Sequence, residues 1–134
     1  MEATLYFDGA SKGNPGPAGV GVRLLNTNQQ TIAEKSFFIG NNTNNVAEYM
    51  GLIYGIQVAI DYNVSKLNIF SDSLLVVNHI NGIYKITNSK LKPLYNQAIK
   101  LLEHFTDGFI ISHIDRSKNS RADELANQAI RRAC

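Results

Sequence analysis

Hydrophobic positions recur along the chain with two periods, which predict five strands and four helices. Short apolar runs bounded by glycine, asparagine or aspartate predict strands, and longer runs with apolar residues three and four apart predict helices. The predicted strands are EATLYFDG, ending near Asp8, AGVGVRLL, TIAEKSFFIG, SKLNIFSD and GFIISHI. The predicted helices are NNVAEYMGLIYGIQVAIDYN, SLLVVNHING, closed by Gly82, KLKPLYNQAIKLLEHF and SRADELANQAIRRA.

The order of these elements, β-β-β-α-β-α-α-β-α, indicates an α/β fold in which helices pack on a five-stranded mixed sheet. The polar segment NTNQQ between the second and third strands predicts a hairpin. The first helix is apolar nearly all round, so we expect it to be buried on more than one side. His79 on the second helix matches no motif, and we expect it at the helix surface or partly packed.

Length and composition indicate an ordinary globular protein. At 134 residues the chain is long enough for one domain, which we expect to span residues 1–134. The single cysteine, Cys134, cannot form an internal disulfide, and no apolar run approaches the roughly 18 residues of a membrane span. The N-terminus lacks the basic start and apolar core of a signal peptide. We therefore expect a cytoplasmic monomer with no membrane association and no obligate protein partner.

The formal net charge of +2 is small, but the basic residues are unevenly distributed. Three lysines lie close together between residues 85 and 92, and five basic residues lie between residues 116 and 132. Taken alone, this distribution is typical of a solvated surface. What this distribution of basic residues implies for function depends on where the acidic residues lie.

Four carboxylates occupy similar places in the predicted elements: each lies at a strand end or in the first turn of a helix. They are Asp8, Glu48, Asp72 and Asp123. Each also has a purely structural alternative. These alternatives are a turn at Asp8-Gly9, a capping arrangement of Glu48 with Asn45, an N-cap at Asp72, and a capping box of Asp123 with Ser120.

Taken together, the four acids favour a metal site. Strand ends of one sheet and the helix starts beside them converge in space, as they do at ligand sites of α/β proteins. Four converging carboxylates need positive charge between them, and hard oxygen ligands suit Mg²⁺ or Mn²⁺. Such a cluster can hold two ions about 3.5 to 4 Å apart, an arrangement used to hydrolyse phosphodiesters. One ion then lowers the pKa of the attacking water and the other stabilises the leaving oxygen.

The glycine-rich segment after Asp8, GASKGNPGPAG, does not fit a mononucleotide-binding loop. It contains no G-x-x-x-x-G-K-[ST] and no G-x-G-x-x-G. A phosphate-binding loop leads into the N-terminus of a helix, whereas this segment leads into a predicted strand. The glycines instead allow a bulky partner to approach the backbone closely.

Four segments in this order, FDGASKGNPGPAG, TNNVAEYMGLIYGI, IFSDSLLVVNHING and HIDRSKNSRADELANQA, resemble type 1 ribonuclease H. The resemblance is to the compact bacterial and archaeal branch that lacks a basic handle helix, and it extends from about Leu5 to Ala129. It implies a ribonuclease H-like fold and an endonuclease that hydrolyses the RNA strand of RNA/DNA hybrids, leaving 5′-phosphate and 3′-hydroxyl ends. It also implies two Mg²⁺ ions per active site, or Mn²⁺, bound by the four acids named above.

The resemblance further implies a set of nucleic-acid contacts. A protein distinguishes RNA from DNA by the 2′-hydroxyl, which polar side chains and backbone groups read across the shallow minor groove. Thr43 corresponds to a residue that holds a phosphate of the DNA strand. The expected RNA contacts are Gly9, Ala10, Ser11, Asn14, Asn44, Asn45 and Ser73.

Three departures from the family pattern affect these contacts. An arginine often lies two residues before the threonine of the phosphate pocket, and here that residue is Asn41. The handle helix is absent, which leaves Tyr84, Lys85, Lys90 and Lys92 as substitutes. A histidine or an arginine near the last acid can assist turnover, and His113 and Arg116 are the two candidates.

Two alternatives stand beside this hypothesis. One is a non-catalytic module that binds hybrid or double-stranded RNA, against which the four intact acids argue. The other is a nuclease of the same fold with a different duplex preference.

Overall fold

The computed structural model describes all residues from 1 to 134 and contains the predicted elements in the predicted order. The strands are β1 (Glu2–Ser11), β2 (Gly16–Asn26), β3 (Thr31–Asn42), β4 (Lys66–Ser71) and β5 (Phe109–His113). The helices are α1 (Asn44–Asp61), α2 (Leu74–Ile80), α3 (Lys92–Leu102) and α4 (Ser120–Ala133), with a 3₁₀ turn at Arg116–Lys118. No helix is both long enough and apolar enough to cross a membrane.

The strands form one mixed sheet in the order β3-β2-β1-β4-β5, which confirms the predicted fold class. At the centre of the sheet, β1 is antiparallel to β2 and parallel to β4, and β5 extends the parallel half. The carboxyl ends of β1, β4 and β5 therefore meet at one edge of the sheet. Ligand sites of open α/β sheets form at such an edge.

The first strand is longer than the sequence pattern predicts, and this changes where Asp8 lies. Pairing of β1 with β2 continues to Ser11↔Ala18, so the predicted strand end near Asp8 and the alternative of a turn there are both wrong. Pairing of β1 with β4 stops earlier, at Tyr6↔Phe70. Asp8 thus lies inside β1 but beyond its last parallel pair, where no backbone of β4 lies alongside it.

Different helices cover the two faces of the sheet. On one face α1 packs against β1 and buries Tyr49 and Leu52 completely, as its apolar pattern predicts. On the other face α4 approaches β2 at Gly21, where a Cβ atom would overlap the carbonyl of Ala122. Glycine at this position therefore allows the first turn of α4 to lie directly against the sheet. That turn carries Asp123.

Hydroxyl side chains, and not the acids, cap α1 and α2. Thr43 Oγ1 accepts the N–H of Val46 at the start of α1, and Ser73 Oγ accepts the N–H of Val76 at the start of α2, each at 3.3 Å. Asn119 precedes α4 and makes no side-chain capping bond. The capping alternatives are therefore wrong, because Thr43, Ser73 and Asn119 occupy the three cap positions. The alternatives were a cap by Asn45 with Glu48, a cap by Asp72, and a cap by Ser120 with Asp123.

His79 is buried, which corrects the prediction of a surface or partly packed position. Its Nδ1 atom lies 2.6 Å from the hydroxyl oxygen of Tyr49, which is also fully buried. Burial lowers the pKa of His79, so the neutral ring is the favoured form. This hydrogen bond joins α2 to α1 inside the core.

Candidate active site

Three of the four predicted acids converge closely. One carboxylate oxygen each from Asp8, Glu48 and Asp72 lies within 4.8 Å of the other two. Asp8 comes from β1, Glu48 from the second turn of α1, and Asp72 from the turn after β4. Together with Asp123 they line a cavity of about 440 Å³. The other lining residues are Gly9, Ala10, Ser11, Lys12, Asn44, Arg116 and Asn127.

The contact between β1 and α1 places Glu48 beside Asp8. The Gly9 N–H donates a hydrogen bond to Glu48 Oε1. A Cβ atom on residue 9 would overlap the backbone of Ala47, so only glycine allows the strand to approach the helix this closely. Gly9 therefore allows Asp8 on β1 and Glu48 on α1 to lie beside each other.

A buried amide holds Asp72. Asn119 is 2% exposed, and its Nδ2 atom donates to the carbonyl of Phe7 at 2.9 Å and to Asp72 Oδ2 at 3.3 Å. Its Oδ1 atom is buried and has no hydrogen-bond partner. Because both contacts of Nδ2 are acceptors, the orientation of the amide is fixed.

Asp123 lies in the same cavity but outside the three-oxygen cluster. Its position is set by α4, where the Asn127 Nδ2 atom donates to the backbone carbonyl of Asp123 at 2.9 Å and to its Oδ1 at 3.2 Å. The cavity thus has three acids whose oxygens converge and a fourth, Asp123, whose side chain approaches Asp8 from α4.

The carboxylates of this cavity favour binding of a cation. Burial, followed by the charge of Glu48, raises the pKa of Asp8 far above its usual range. Burial also raises the pKa of Glu48, to about 7. No lysine or arginine nitrogen lies within 4.0 Å of these carboxylates, since the ion pairs of the protein lie elsewhere, among Arg23, Glu34, Arg121 and Glu124. The donor set consists of carboxylate oxygens alone, which fits a hard divalent cation.

Most of the predicted nucleic-acid contacts line three separate cavities. Gly9, Ala10, Ser11 and Asn44 line the acidic cavity. A neighbouring cavity of about 570 Å³ is lined by Asn14, Thr43, Asn45, Val46, Asn88, Ser89, Lys90 and Leu91. A third, of about 460 Å³, includes Tyr84, Lys85, Lys92 and His79. The four proposed substitutes for the handle therefore line two different cavities, Lys90 the second and the other three the third.

The two candidates near the last acid also differ in position. Arg116 lines the acidic cavity, whereas His113 is exposed at the end of β5 and does not line it. Ser73 is half-buried and caps α2.

Three residues of this site were not predicted from the sequence: Lys12, Asn119 and Asn127. The only signal available was position, since Asn119 and Asn127 lie four residues before and after Asp123. On a helix, such spacing places side chains on one face. Lys12 carried no signal of its own within the glycine-rich segment.

The sheet order and the converging acids define the class: an α/β protein with three carboxylates that could hold a metal ion at the carboxyl edge of its parallel strands. A family model described as "Reverse transcriptase-like" matches residues 6–129. Ribonuclease H of Symbiobacterium thermophilum is 35% identical over 143 residues, which cover 96% of this chain and 95% of that protein. The chain belongs to the ribonuclease H family.

Ribonuclease HI of Halobacterium salinarum is 41% identical over 125 residues, covering 93% of this chain. The chain spans 62% of the length of that relative. The crystal structure of the Halobacterium salinarum RNase H1 superposes with a TM-score of 0.96 at 39% identity, covering 98% of this chain and 99% of that one. LC11-RNase H1 in complex with an RNA/DNA hybrid gives a TM-score of 0.93 at 36% identity, covering 98% of each chain.

The loop between α2 and α3 confirms the resemblance to the compact branch. Only residues 81–91 connect the two helices, and they contain no helix. The basic handle helix is therefore absent.

Proposed function

We propose that this chain is an endoribonuclease that hydrolyses the RNA strand of RNA/DNA hybrids and leaves 5′-phosphate and 3′-hydroxyl ends. The observation that carries the proposal is the convergence of Asp8, Glu48 and Asp72, none of which has a lysine or arginine nitrogen within 4.0 Å. Family membership and the hybrid bound to LC11-RNase H1 support it. We further propose that residues 1–134 act as one domain and as a monomer in the cytoplasm.

The proposed cofactor is Mg²⁺, with Mn²⁺ as the alternative. Asp8, Glu48 and Asp72 would hold the first ion, and Asp123 would complete the site for a second. When bound, such ions activate water and stabilise the departing 3′-oxygen of the RNA. The protein supplies oxygen donors that are already positioned by β1, α1 and the amide of Asn119. No covalent intermediate with the enzyme is required.

Selection of the RNA strand is proposed to occur at the wall beside Glu48. Asn44 and Asn45 are exposed at the start of α1, where their amides can donate to and accept from a 2′-hydroxyl. The backbone of Gly9, Ala10 and Ser11 forms the adjacent wall of the cavity. DNA lacks the 2′-hydroxyl and leaves these groups without a partner, which disfavours its cleavage.

Asn14 and Ser73 contribute to this proposed RNA surface mainly through structure. Asn14 Oδ1 accepts the N–H of Asn44 at 3.0 Å, so it orients the start of α1. Ser73 holds the first turn of α2, next to Asp72. Their remaining polar atoms can still contact ribose.

The DNA strand is proposed to occupy the neighbouring cavity. Thr43 lines it, and its hydroxyl hydrogen remains available because Oγ1 acts as an acceptor in the helix cap. Lys90 lines the same cavity and supplies positive charge where Asn41 cannot. Tyr84, Lys85 and Lys92 form a second contact farther along the duplex, in place of the handle.

Turnover is proposed to be assisted by Arg116, which shares the cavity with the four acids. His113 is the second candidate, and its exposed position at the end of β5 suits a role in product departure more than in chemistry.

The proposal is tested with RNA/DNA, RNA/RNA and DNA/DNA duplexes of one sequence, each labelled on either strand and incubated with Mg²⁺ or Mn²⁺. We expect cleavage of the RNA strand in the hybrid, and products that are ligatable through a 5′-phosphate. Tight retention of the hybrid without cleavage in either metal would support the binding module instead. Preferential cleavage of RNA/RNA would support a nuclease of different duplex preference.

A further inference from the structure

The segment after β1 holds the backbone of Lys12 in place. The Lys12 N–H donates to the carbonyl of Pro17 at 2.8 Å. A Cβ atom on Gly16 would overlap the carbonyl of Lys12, so the first residue of β2 lies directly against Lys12. Lys12 is therefore presented from a fixed backbone and not from a loose loop.

The same segment is also attached to the elements around it. Ser11 Oγ donates to the carbonyl of Asn42, at the end of β3, over 2.8 Å. Asn14 binds the N–H of Asn44 at the start of α1, as described above. The side chains of Ser11 and Asn14 thus hold the segment against the end of β3 and the start of α1.

Lys12 itself is exposed and lines the acidic cavity, yet it pairs with none of the acids there. The ion pairs of the protein involve only Arg23 and Arg121 as cations. Lys12 lies four residues beyond Asp8 on an extended backbone that rises about 3.3 Å per residue, so roughly 13 Å separate the two Cα atoms. The backbone of Lys12 thus lies toward the end of the cavity away from Asp8.

We propose that Lys12 binds a phosphate of the RNA strand next to the phosphate at the acids, and so fixes the register of that strand. This inference rests on the proposed function, since it assumes that the RNA strand runs through the acidic cavity. Lysine suits the task because its ammonium group acts as a compact point charge on phosphate. Lys12 is assigned a positioning role and not a catalytic one, because it pairs with none of the acids at which the reacting phosphate would bind.

The first test measures hybrid binding in EDTA at several KCl concentrations for Lys12→Gln, Lys12→Arg and the parent protein. A lysine that neutralises one phosphate contributes about one unit to the slope of log K against log [salt]. We expect the slope of Lys12→Gln to be shallower than that of the parent protein by roughly one unit, and the slope of Lys12→Arg to equal that of the parent protein. Lys100→Gln is the matched control, because Lys100 is exposed on α3 and lines none of the cavities.

The second test uses a hybrid with four ribonucleotides in an otherwise DNA strand, so that the cut position is defined. Each phosphate near the cut is replaced, one at a time, by a neutral methylphosphonate. We expect one flanking replacement to raise the KM of the parent protein several-fold with kcat unchanged. The same replacement adds nothing for Lys12→Gln, because the charged partner is already lost.

The outcomes separate this inference from the proposed function. A Lys12→Gln variant with the parent salt slope and the parent response to every methylphosphonate overturns the role of Lys12. An equal loss in Lys100→Gln does so as well, since the effect is then one of net charge. If the parent protein binds the hybrid and cuts no strand, the proposed function fails, and the salt slopes alone then decide whether Lys12 contacts a phosphate.

Discussion

The side-chain amide of Asn119 connects the Asp72 carboxylate to the backbone of β1, through hydrogen bonds of 3.3 Å to Asp72 Oδ2 and 2.9 Å to the carbonyl of Phe7. One amide thus fixes two elements that each carry an acid of the site, the strand with Asp8 and the turn with Asp72. Replacing Asn119 with aspartate removes both donors and adds a carboxylate beside Asp72. We expect metal affinity to fall about 10- to 100-fold, as it does when partners of metal-binding carboxylates are lost.

The measurement for Asn119→Asp is a calorimetric titration with Mn²⁺, together with the Mg²⁺ concentration that gives half-maximal activity. Asn28→Asp is the control, because it adds the same charge in the exposed β2–β3 hairpin. Unchanged metal affinity in Asn119→Asp, with only a loss of stability, would show that the amide serves folding alone.

Neutralising Asp8 is expected to stabilise the metal-free protein. Burial and the neighbouring acids raise the pKa of Asp8 in the folded state above its unfolded value. Its stabilising contribution is therefore present below the unfolded pKa of about 3.9 and is lost as pH rises through the folded pKa. An asparagine side chain cannot ionise, so Asp8→Asn should be more stable than the parent by at least about 1 kcal/mol at pH 8 in EDTA.

Urea unfolding at pH 4 and pH 8 measures this difference, which should be larger at pH 8. Excess Mg²⁺ should narrow it, since only the parent protein gains stability from binding the ion. Equal stability of both proteins at pH 8 in EDTA would mean that the acids do not repel one another in the folded state.

The buried pair of Tyr49 and His79 is expected to contribute to stability. Tyr49→Phe leaves His79 Nδ1 buried without its partner at 2.6 Å, which costs about 1 to 3 kcal/mol. Tyr62→Phe, at the exposed end of α1, is the control and should change little. Urea unfolding at pH 8 measures both, and equal midpoints for the two variants would contradict the contribution of the pair.

His79 also gives the stability a pH dependence of known sign. Its pKa is lowered by burial, so the folded state favours the neutral ring. The unfolded chain binds the proton first as pH falls below about 6.5, and stability is lost as pH falls further through the folded pKa. We expect His79→Gln to show a smaller loss between pH 8 and pH 5 than the parent protein. An equal loss of stability in His79→Gln and the parent protein would show that other groups cause the sensitivity to acid.

Because β2 contacts α4 closely at Gly21, we expect one added methyl group there to lower both stability and activity. In Gly21→Ala the new Cβ would overlap the carbonyl of Ala122 and lie 2.7 Å from the N atom of Ala126, so α4 must move away from the sheet. We expect a destabilisation of about 1 to 3 kcal/mol, as for other overpacked sites. We also expect reduced activity, because the first turn of α4 carries Asp123. Thermal unfolding and hybrid cleavage measure the two effects, and a fully active variant of parent stability would contradict this packing.

The local sequence pattern predicted the order of the elements and the four acids, because both depend on short segments. Apolar periodicity identifies each strand and helix, and the topology of a mixed sheet then brings Asp8, Glu48 and Asp72 to one edge. The pattern could not predict that β1 runs to Ser11, since this depends on its register with β2, which is a non-local pairing.

The parts of the site that the sequence did not reveal depend on side-chain packing across elements. Asn119 reads as an ordinary polar residue near a helix start, and only the fold shows that it is buried against Phe7. Serine and aspartate are equally common as N-caps, so the sequence could not decide between Ser73 and Asp72. The basic residues around the missing handle lie close in sequence, yet Lys90 and Lys92 line different cavities.

The most direct test of metal-dependent catalysis by the acidic cluster is Mg²⁺-dependent cleavage of an RNA/DNA hybrid by Asp72→Asn, measured beside Asp107→Asn. Asp72 is not a helix cap, so its replacement should leave the fold intact while removing a charged ligand from the three-acid cluster. Asp107 is exposed and lies outside the acidic cavity. We predict that Asp107→Asn cuts the RNA strand at the parent rate, and that Asp72→Asn loses nearly all cleavage with an unfolding midpoint in EDTA no lower than that of the parent protein. A well-folded Asp72→Asn protein that cuts the hybrid at the parent rate would show that the Asp72 carboxylate is not needed for catalysis.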